Sequence, residues 1–121
     1  MTARHYQVTV TAPSPEEADA LGLMAVQRRL AACAQVSGPI RSTYWWQGAV
    51  TSAPEWVLTL KTTAPRLEAL IAAVGAAHSY DVPEIMATAV TAGDPAYLAW
   101  LTAETQRERP APGRRIRRAP R

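Results

Sequence analysis

The sequence predicts one α+β domain whose elements follow the order β-α-β-β-α-β. Three observations carry this prediction: a short strand pattern near the start, two apolar stripes at helical spacing, and a long stretch at 31–63 that folds back on itself. With 121 residues and a hydrophobic fraction of 48%, the chain is long enough for one modest core.

The first strand and the first helix follow from simple periodicities. From His5 to Ala12 polar and apolar residues alternate, which predicts a strand with one face on a core. Ser14 can cap the helix that follows, Pro15 suits its first turn, and Glu17 can complete a capping box. One helical stripe, which should face the sheet, carries apolar or small residues: Ala18, Leu21, Gly22, Ala25 and Val26.

The stretch 31–63 is predicted to form two long antiparallel strands that turn at Gln47-Gly48. A strand of roughly fifteen residues spans on the order of 50 Å, whereas a globule of this length has a radius of gyration of only about 13–14 Å. The hairpin should therefore protrude, with a bend where proline interrupts its first strand at Gly38-Pro39. A protruding ribbon rich in aromatic residues needs a partner, for which we expect another copy of the chain. Half of the aromatic residues lie here: Tyr44, Trp45, Trp46 and Trp56.

The second half of the chain repeats the strand–helix pattern. A helix should open at Ala64-Pro65, a loop should run from His78 to Glu84, and a fourth strand should span Ile85 to Thr91. Gly93-Asp94-Pro95 then caps a last helix. Right-handed connections between these elements give a ferredoxin-like sandwich with a long protruding hairpin and an extra C-terminal helix. The face of the sheet that no helix covers should be wet or buried against another subunit.

Charge divides the chain into two parts. The net charge is +3, but residues 1–106 carry six basic and nine acidic side chains, whereas residues 107–121 carry seven arginines and one glutamate. We therefore expect a folded domain at 1–106 and a disordered Arg- and Pro-rich tail at 107–121. Such a tail could bind nucleic acid or an acidic partner.

Several function classes find no support in the sequence. There is no apolar run of the length that a membrane helix needs, and the start does not read as a signal peptide. The lone Cys33 excludes an intramolecular disulfide, so we expect a cytoplasmic protein. No hydrolase motif or phosphate-binding glycine loop is visible. The absence of Phe and of an aromatic RNP1 segment argues against RNA recognition by the folded body.

A series of segments resembles the CutA family of divalent-cation tolerance proteins. In order along the chain these are RLAAC ending at Cys33, STYWWQG ending at Gly48, Glu55 through Thr62, HSYDVPEI ending at Ile85, and Tyr97 through Trp100. The resemblance implies a ferredoxin-like protomer, a tight homotrimer similar to the PII signalling proteins, a role in tolerance of copper and other divalent metals, and no enzymatic reaction. The chain departs from the family pattern at Gln35 and Gln47, and at 49–53, where an acidic run is expected.

Cys33 and His78 are the natural candidates for copper, because thiolate and imidazole suit soft and borderline metals. One cysteine and two histidines, His5 and His78, could enclose an ion within one chain only if all three converged, so we expect a shallow site completed by water, by Glu84 or by a neighbouring subunit. The alternative for Cys33 is a buried small hydrophobic residue. Met24 and Met86 are assigned to the core.

The loop at 78–84 also suggests a ligand pocket between subunits. Lys61 and Glu84 would supply opposite charges from neighbouring strands, beside Tyr80 and Trp46. The alternative is that Glu84 pairs structurally with Lys61 and that the loop shapes a subunit interface. Two functions therefore stay open: a non-enzymatic homotrimer that binds divalent metal, and a PII-like trimeric sensor that binds a small anionic metabolite in clefts between subunits.

Overall fold

A four-stranded antiparallel sheet organises the part of the chain that the computed structural model describes, residues 3–106. The elements are β1 (His5–Ala12), α1 (Pro15–Gln27), β2 (Cys33–Trp46), β3 (Ala49–Thr63), α2 (Ala64–Ala77), β4 (Ile85–Ala89) and α3 (Pro95–Glu104). The predicted order, the long hairpin and the extra helix are all confirmed. The predicted tail at 107–121 lies outside the described residues.

The strands lie in the order β2-β3-β1-β4, which is the ferredoxin-like arrangement. The central strand β1 pairs with both β3 and β4, so that Val8 lies opposite Leu60 on one side and Ala87 on the other. The fourth strand is shorter than predicted, because the last backbone bond from Val90 reaches His5, where β1 begins. No partner remains for β4 beyond that point on β1.

The core lies between α1, α2 and one face of the sheet, whereas α3 packs at one end of the opposite face, against His5 and Thr63. Val8, Val10, Leu58 and Leu60 are fully buried and alternate with less buried residues, as the strand pattern predicted. The helices cover them with their own apolar stripes, which include Leu21 and Ala25 of α1 and Leu70 and Val74 of α2. Full burial of one such side chain is worth about 1.5–3 kcal/mol, so this layer contributes a large stabilisation to the fold.

A bulge in β2 exchanges the residues of this strand that lie on each face of the sheet. Ser37 pairs with Val57 and Ile40 pairs with Glu55, so β2 advances three residues while β3 advances two. Gly38 has a φ of 144°, which only glycine adopts easily, and its bond to Pro39 is cis. Before the bulge the odd-numbered residues of β2 lie on the face opposite to α1 and α2, and after it the even-numbered residues do. The predicted bend is confirmed.

One assignment to the core was wrong. Met86 is 61% exposed, because it pairs with Thr9 on the face of the sheet that the helices do not cover. Met24, in contrast, is partly buried and packs against the core on α1. The pattern of β4 alone did not reveal which of its faces the helices cover.

Candidate functional site

The residues of interest gather at the base of the hairpin, where β1 ends and β3 continues without it. His78 is the anchor. Its Nε2 donates to the carbonyl oxygen of Thr11 at 2.7 Å, and its Nδ1 accepts from the backbone N–H of Tyr80 at 3.0 Å. The ring is buried and uses both nitrogens, so it ties the loop after α2 to the end of β1.

The loop is tied to α1 as well. The Oε2 of Glu17 accepts from both the backbone N–H and the hydroxyl of Ser79, at 3.0 and 2.9 Å. Desolvation raises the pKa of Glu17, but these two hydrogen bonds and the nearby His78 together hold that pKa below its usual value. The predicted capping box is only half formed: Ser14 accepts from the N–H of Glu17, while the Glu17 carboxylate serves the loop instead.

The loop at 78–84 also contacts a carboxylate at the base of the hairpin. The hydroxyl of Tyr80 donates to Oε2 of Glu55 at 3.0 Å. Glu55 is buried, although it lies where β3 extends beyond the end of β1. Desolvation, followed by the hydrogen bond to Glu55, raises the pKa of Tyr80 to about 12. Tyr80 therefore stays a hydrogen-bond donor at neutral pH and is no general base.

This arrangement holds a loop in place and presents no catalytic pair. Both nitrogens of His78 bond to backbone groups, the phenol of Tyr80 is protonated, and the Glu17 carboxylate is engaged by Ser79. A proton-transfer role needs a group within reach of a substrate and free to change its protonation state. What the site offers is a rigid rim beside the exposed hairpin, suited to binding.

The structure does not bring Cys33 and His78 together within one protomer. Cys33 is buried in the same cross-strand row as Lys61 and Gln7, whereas His78 bonds to Thr11, four residues further along β1. Four residues of strand correspond to about 13 Å. Over residues 3–106, no group of three His, Cys, Asp or Glu side chains lies close enough to hold a metal ion. A metal site that includes Glu84, which is exposed, stays a prediction for a shared or shallow site.

The predicted ligand pocket is also dispersed in one protomer. Lys61 and Glu84 are not on neighbouring strands, because β1 lies between β3 and β4; Lys61 donates instead to Oε1 of Gln35 at 2.8 Å. Trp46 pairs with Ala49, six residues or about 20 Å along β3 from the carboxylate that Tyr80 contacts. A pocket formed by these residues between subunits stays a prediction.

The hairpin carries most of the large apolar side chains that are exposed in the described part of the chain. Trp45 is 75% exposed, Trp46 is 58% exposed and Val50 is 61% exposed. Because Trp45 and Val50 pair on one face while Trp46 lies on the other, the ribbon is apolar on both faces. Of the helices that the structure describes, none has the length and apolar character needed to cross a membrane.

Sequence reasoning missed two carboxylates that shape this site. Glu17 was interpreted only as a capping residue, and Glu55 only as one member of an alternating strand. The available signal for Glu55 was its position beside Trp56, just where β3 leaves the sheet core. That signal depends on where β1 ends relative to β3, which no local pattern reveals.

Comparison with known proteins agrees with this architecture. The family model described as CutA1 divalent ion tolerance protein matches residues 6–104. The chloroplastic CutA protein of Arabidopsis thaliana is 42% identical over 99 residues, covering 82% of this chain and 54% of that protein. The divalent-cation tolerance protein CutA of Thermus thermophilus is 40% identical over 98 residues, covering 81% of this chain and 95% of that protein. The chain thus spans about half the length of the plant relatives it matches, but nearly all of the bacterial one.

Solved structures superpose closely on this chain. The crystal structure of CutA from Xylella fastidiosa gives a TM-score of 0.84 at 36% identity, covering 86% of this chain and all of that one. CutA1 from Oryza sativa gives 0.83 at 37% identity, covering 88% of this chain and 98% of that one. With the strand order, the long hairpin and the family match over residues 6–104, the chain belongs to the CutA1 family of divalent ion tolerance proteins.

Proposed function

We propose that this protein is a non-enzymatic homotrimer that binds copper or another divalent metal ion and acts in the response to metal. The family assignment supports the link to divalent cations. The exposed hairpin is the observation that carries the proposal. Its exposed aromatic side chains lie on both faces of the ribbon and are suited to self-association.

The hairpin supports an obligate assembly. An isolated two-stranded ribbon is marginally stable in water, and contiguous exposed apolar patches on soluble proteins usually mark interfaces. A second copy that covers both Trp45 and Trp46 would bury opposite faces of the ribbon. We expect a total interface above roughly 2,000 Å², the range of obligate assemblies.

The uncovered face of the sheet supports three copies. It carries small and polar residues that are neither fully buried nor fully exposed, among them Gln7, Thr9 and Thr59. Three such sheets can pack these faces against one another with their helices outward, while each hairpin extends a neighbour's sheet. Light scattering that reports a stable monomer at micromolar concentration would overturn this part of the proposal.

A metal site in this assembly would be shared. Cys33 pairs with Lys61 on the face of the sheet that we propose packs against another subunit, and its side chain is buried. Glu84 is exposed at the start of β4 and can supply an oxygen ligand. His78 is a poorer candidate, because a metal would displace one of its two bonds to the backbone.

Native mass spectrometry of the full chain titrated with Cu²⁺ and Zn²⁺ tests assembly and stoichiometry together. We expect trimers that gain metal, and weaker binding in Cys33→Ser and Glu84→Gln. Asp81→Asn, which removes another exposed carboxylate from the same loop, is the matched control. If both variants bind Cu²⁺ like the wild type, metal binding is adventitious, and the sensor of small anions replaces the metal protein as the proposed function.

We place the protein in the cytoplasm, because a single cysteine fits a reducing compartment. Its relatives differ in this respect: the Arabidopsis protein is named chloroplastic, and a solved structure from Archaeoglobus fulgidus, 32% identical with a TM-score of 0.81, is described as periplasmic. Fractionation of the source cells and immunoblotting would test this placement.

A further inference from the structure

The carboxylate of Glu55 has no counter-charge within the described part of its own protomer. The residue lies at the base of the hairpin and is only 8% exposed. Among residues 3–106, its one hydrogen bond comes from the hydroxyl of Tyr80, and no basic side chain lies within salt-bridge distance of it. Because a buried carboxylate without a counter-charge is costly, this position favours a cation from outside the protomer.

One oxygen of this carboxylate is open to such a cation. Tyr80 occupies Oε2, whereas Oε1 has no hydrogen-bond partner among the described residues. No fully enclosed polar side-chain atom in that part of the chain lacks a partner, so Oε1 reaches the protein surface. Tyr80 itself is 37% exposed beside it. A carboxylate oxygen next to an aromatic ring suits a guanidinium group, which bonds to the oxygen and stacks on the ring.

The hairpin itself supplies a guanidinium group of this kind. Its two basic residues are Arg41 and Lys61. Lys61 already donates to Oε1 of Gln35 at 2.8 Å. Arg41 is exposed and makes no hydrogen bond or ion pair with the other described residues. Arg41 is therefore the cation of the hairpin that is available to another molecule.

Arg41 and Glu55 lie at adjacent positions along the ribbon but on opposite faces of it. Ile40 pairs with Glu55, and Arg41 pairs with Pro54. Residues that pair directly share a face, and successive residues of a strand alternate between faces. The side chains of Arg41 and Glu55 therefore point away from each other, and they form no ion pair within one protomer.

Opposite charges on opposite faces favour the stacking of one hairpin on the next. When the Arg41 face of one copy packs on the Glu55 face of its neighbour, the contact is heterologous, and such contacts can close into rings. A twofold pair would instead place each face against its own copy. A hollow of about 450 Å³ beside Arg41 gives the neighbour's loop at 78–84 room to approach. It is lined by Pro39, Ile40, Arg41, Ser52, Ala53 and Pro54.

We propose that the guanidinium of Arg41 from a neighbouring copy binds the Glu55 carboxylate beside the ring of Tyr80, so that each such site is completed between two subunits. Every copy gives Arg41 to one neighbour and receives Arg41 from the other, as a ring of three requires. The inference rests on the self-association in the proposed function. It adds the pair of charged groups that determines how the hairpins stack.

Subunit exchange of the full chain tests this pairing. Isotope-labelled and unlabelled protein are mixed, and native mass spectrometry follows the formation of mixed assemblies. We expect Arg41→Gln and Glu55→Gln each to exchange about tenfold faster than the wild type or more, because one member of a buried ion pair is left alone. The double variant should exchange no faster than the faster single variant, because both changes remove the same contact. Arg28→Gln, which changes an exposed arginine at the end of α1, is the matched control and should exchange like the wild type.

The outcomes separate the pairing from the assembly itself. If the wild type assembles and Arg41→Gln exchanges at the wild-type rate, the pairing is wrong and the assembly stands. Effects that multiply in the double variant would also overturn the pairing, because they would place the two residues at separate contacts. If EDTA speeds exchange of the wild type while Arg41→Gln does not, the cation at Glu55 is a metal ion and the inference is wrong. A wild type that stays monomeric in light scattering would overturn the pairing together with the proposed self-association.

Discussion

The indole of Trp56 lies where a Cβ on Gly38 would have to be. A Cβ built on Gly38 would be 2.7 Å from Cδ1 of Trp56, well inside the distance that real Cβ contacts show. The contact joins the bulge of β2 to the residue of β3 that packs against the core. This contact fixes the position of the bulge, beyond which the side chains of β2 exchange faces. It therefore determines which side chains the hairpin presents to other molecules.

Substitution of Gly38 by Ala should therefore destabilise the protein. The new Cβ clashes with Trp56, and the φ of 144° disfavours any L side chain, so we expect a loss of about 1–3 kcal/mol in the free energy of unfolding. Gly48→Ala is the matched control: its φ is also positive, but no atom lies within 4 Å of the added Cβ. Chemical denaturation at one fixed protein concentration measures both. Equal losses would contradict the role of the Trp56 contact.

A charge on the hairpin should break self-association. Trp46→Asp places a carboxylate on an apolar face of the ribbon, which would have to be desolvated in the proposed interface. We expect the assembly to shift to monomers at micromolar concentration, measured by sedimentation. Leu23→Asp changes another exposed apolar residue, 59% exposed on α1, and should leave the assembly intact. Dissociation by both variants, or by neither, would mean that the hairpin is not the interface.

The ionisation of Tyr80 should depend on Glu55. Desolvation and the hydrogen bond to Glu55 raise the pKa of Tyr80 to about 12 from 10.0, so stability from this contact is fully present below pH 10 and is lost as pH rises through about 12. Glu55→Gln removes the negative charge, and the pKa should move back towards 10.0. Phenolate absorbance, with Tyr80→Phe subtracted to isolate this residue, measures the shift. An unchanged titration would show that the carboxylate has no influence on the phenol.

The stability that the contact between Glu17 and the loop provides should decrease at acid pH. Its pKa is lowered from 4.5, so the unfolded chain takes up the proton at a higher pH than the folded one. The stabilisation is present above pH 4.5 and is lost as pH falls through the lower folded pKa. We expect Glu17→Gln to lose this part of the acid dependence of unfolding, while Glu16→Gln, the exposed neighbour, retains it. Identical acid profiles for wild type and Glu17→Gln would contradict the contact with Ser79.

The arginine-rich tail should be dispensable for folding. Among the described residues, the last buried apolar side chain is that of Leu101, and we propose that 107–121 form no part of the domain. Truncation after Gln106 should leave the assembly and the melting temperature nearly unchanged, as measured by light scattering and calorimetry. If the tail binds nucleic acid, the affinity of the full chain for an oligonucleotide should fall steeply with salt and vanish on truncation. Loss of assembly on truncation would show that the tail packs on the body.

Local patterns in the sequence were enough to predict the elements and their order. Alternation at His5–Ala12, the cap at Ser14 and the helix start at Ala64-Pro65 each act over a few residues, so they can be read without knowledge of neighbours. The turn at Gln47-Gly48 is of the same kind, and both residues have positive φ as such a turn requires. The resemblance carried by the motifs added the family, which the match over residues 6–104 confirms.

Only the tertiary structure decided which residues meet. The strand order placed β1 between Lys61 and Glu84, and the cross-strand register left Met86 on the uncovered face. Register also separated Cys33 from His78, and the early end of β1 brought Tyr80 to Glu55. These relationships depend on the pairing of distant segments, and a one-residue slip or bulge exchanges the two faces of a strand. Local periodicity carries no record of that register, so the site had to be found in three dimensions.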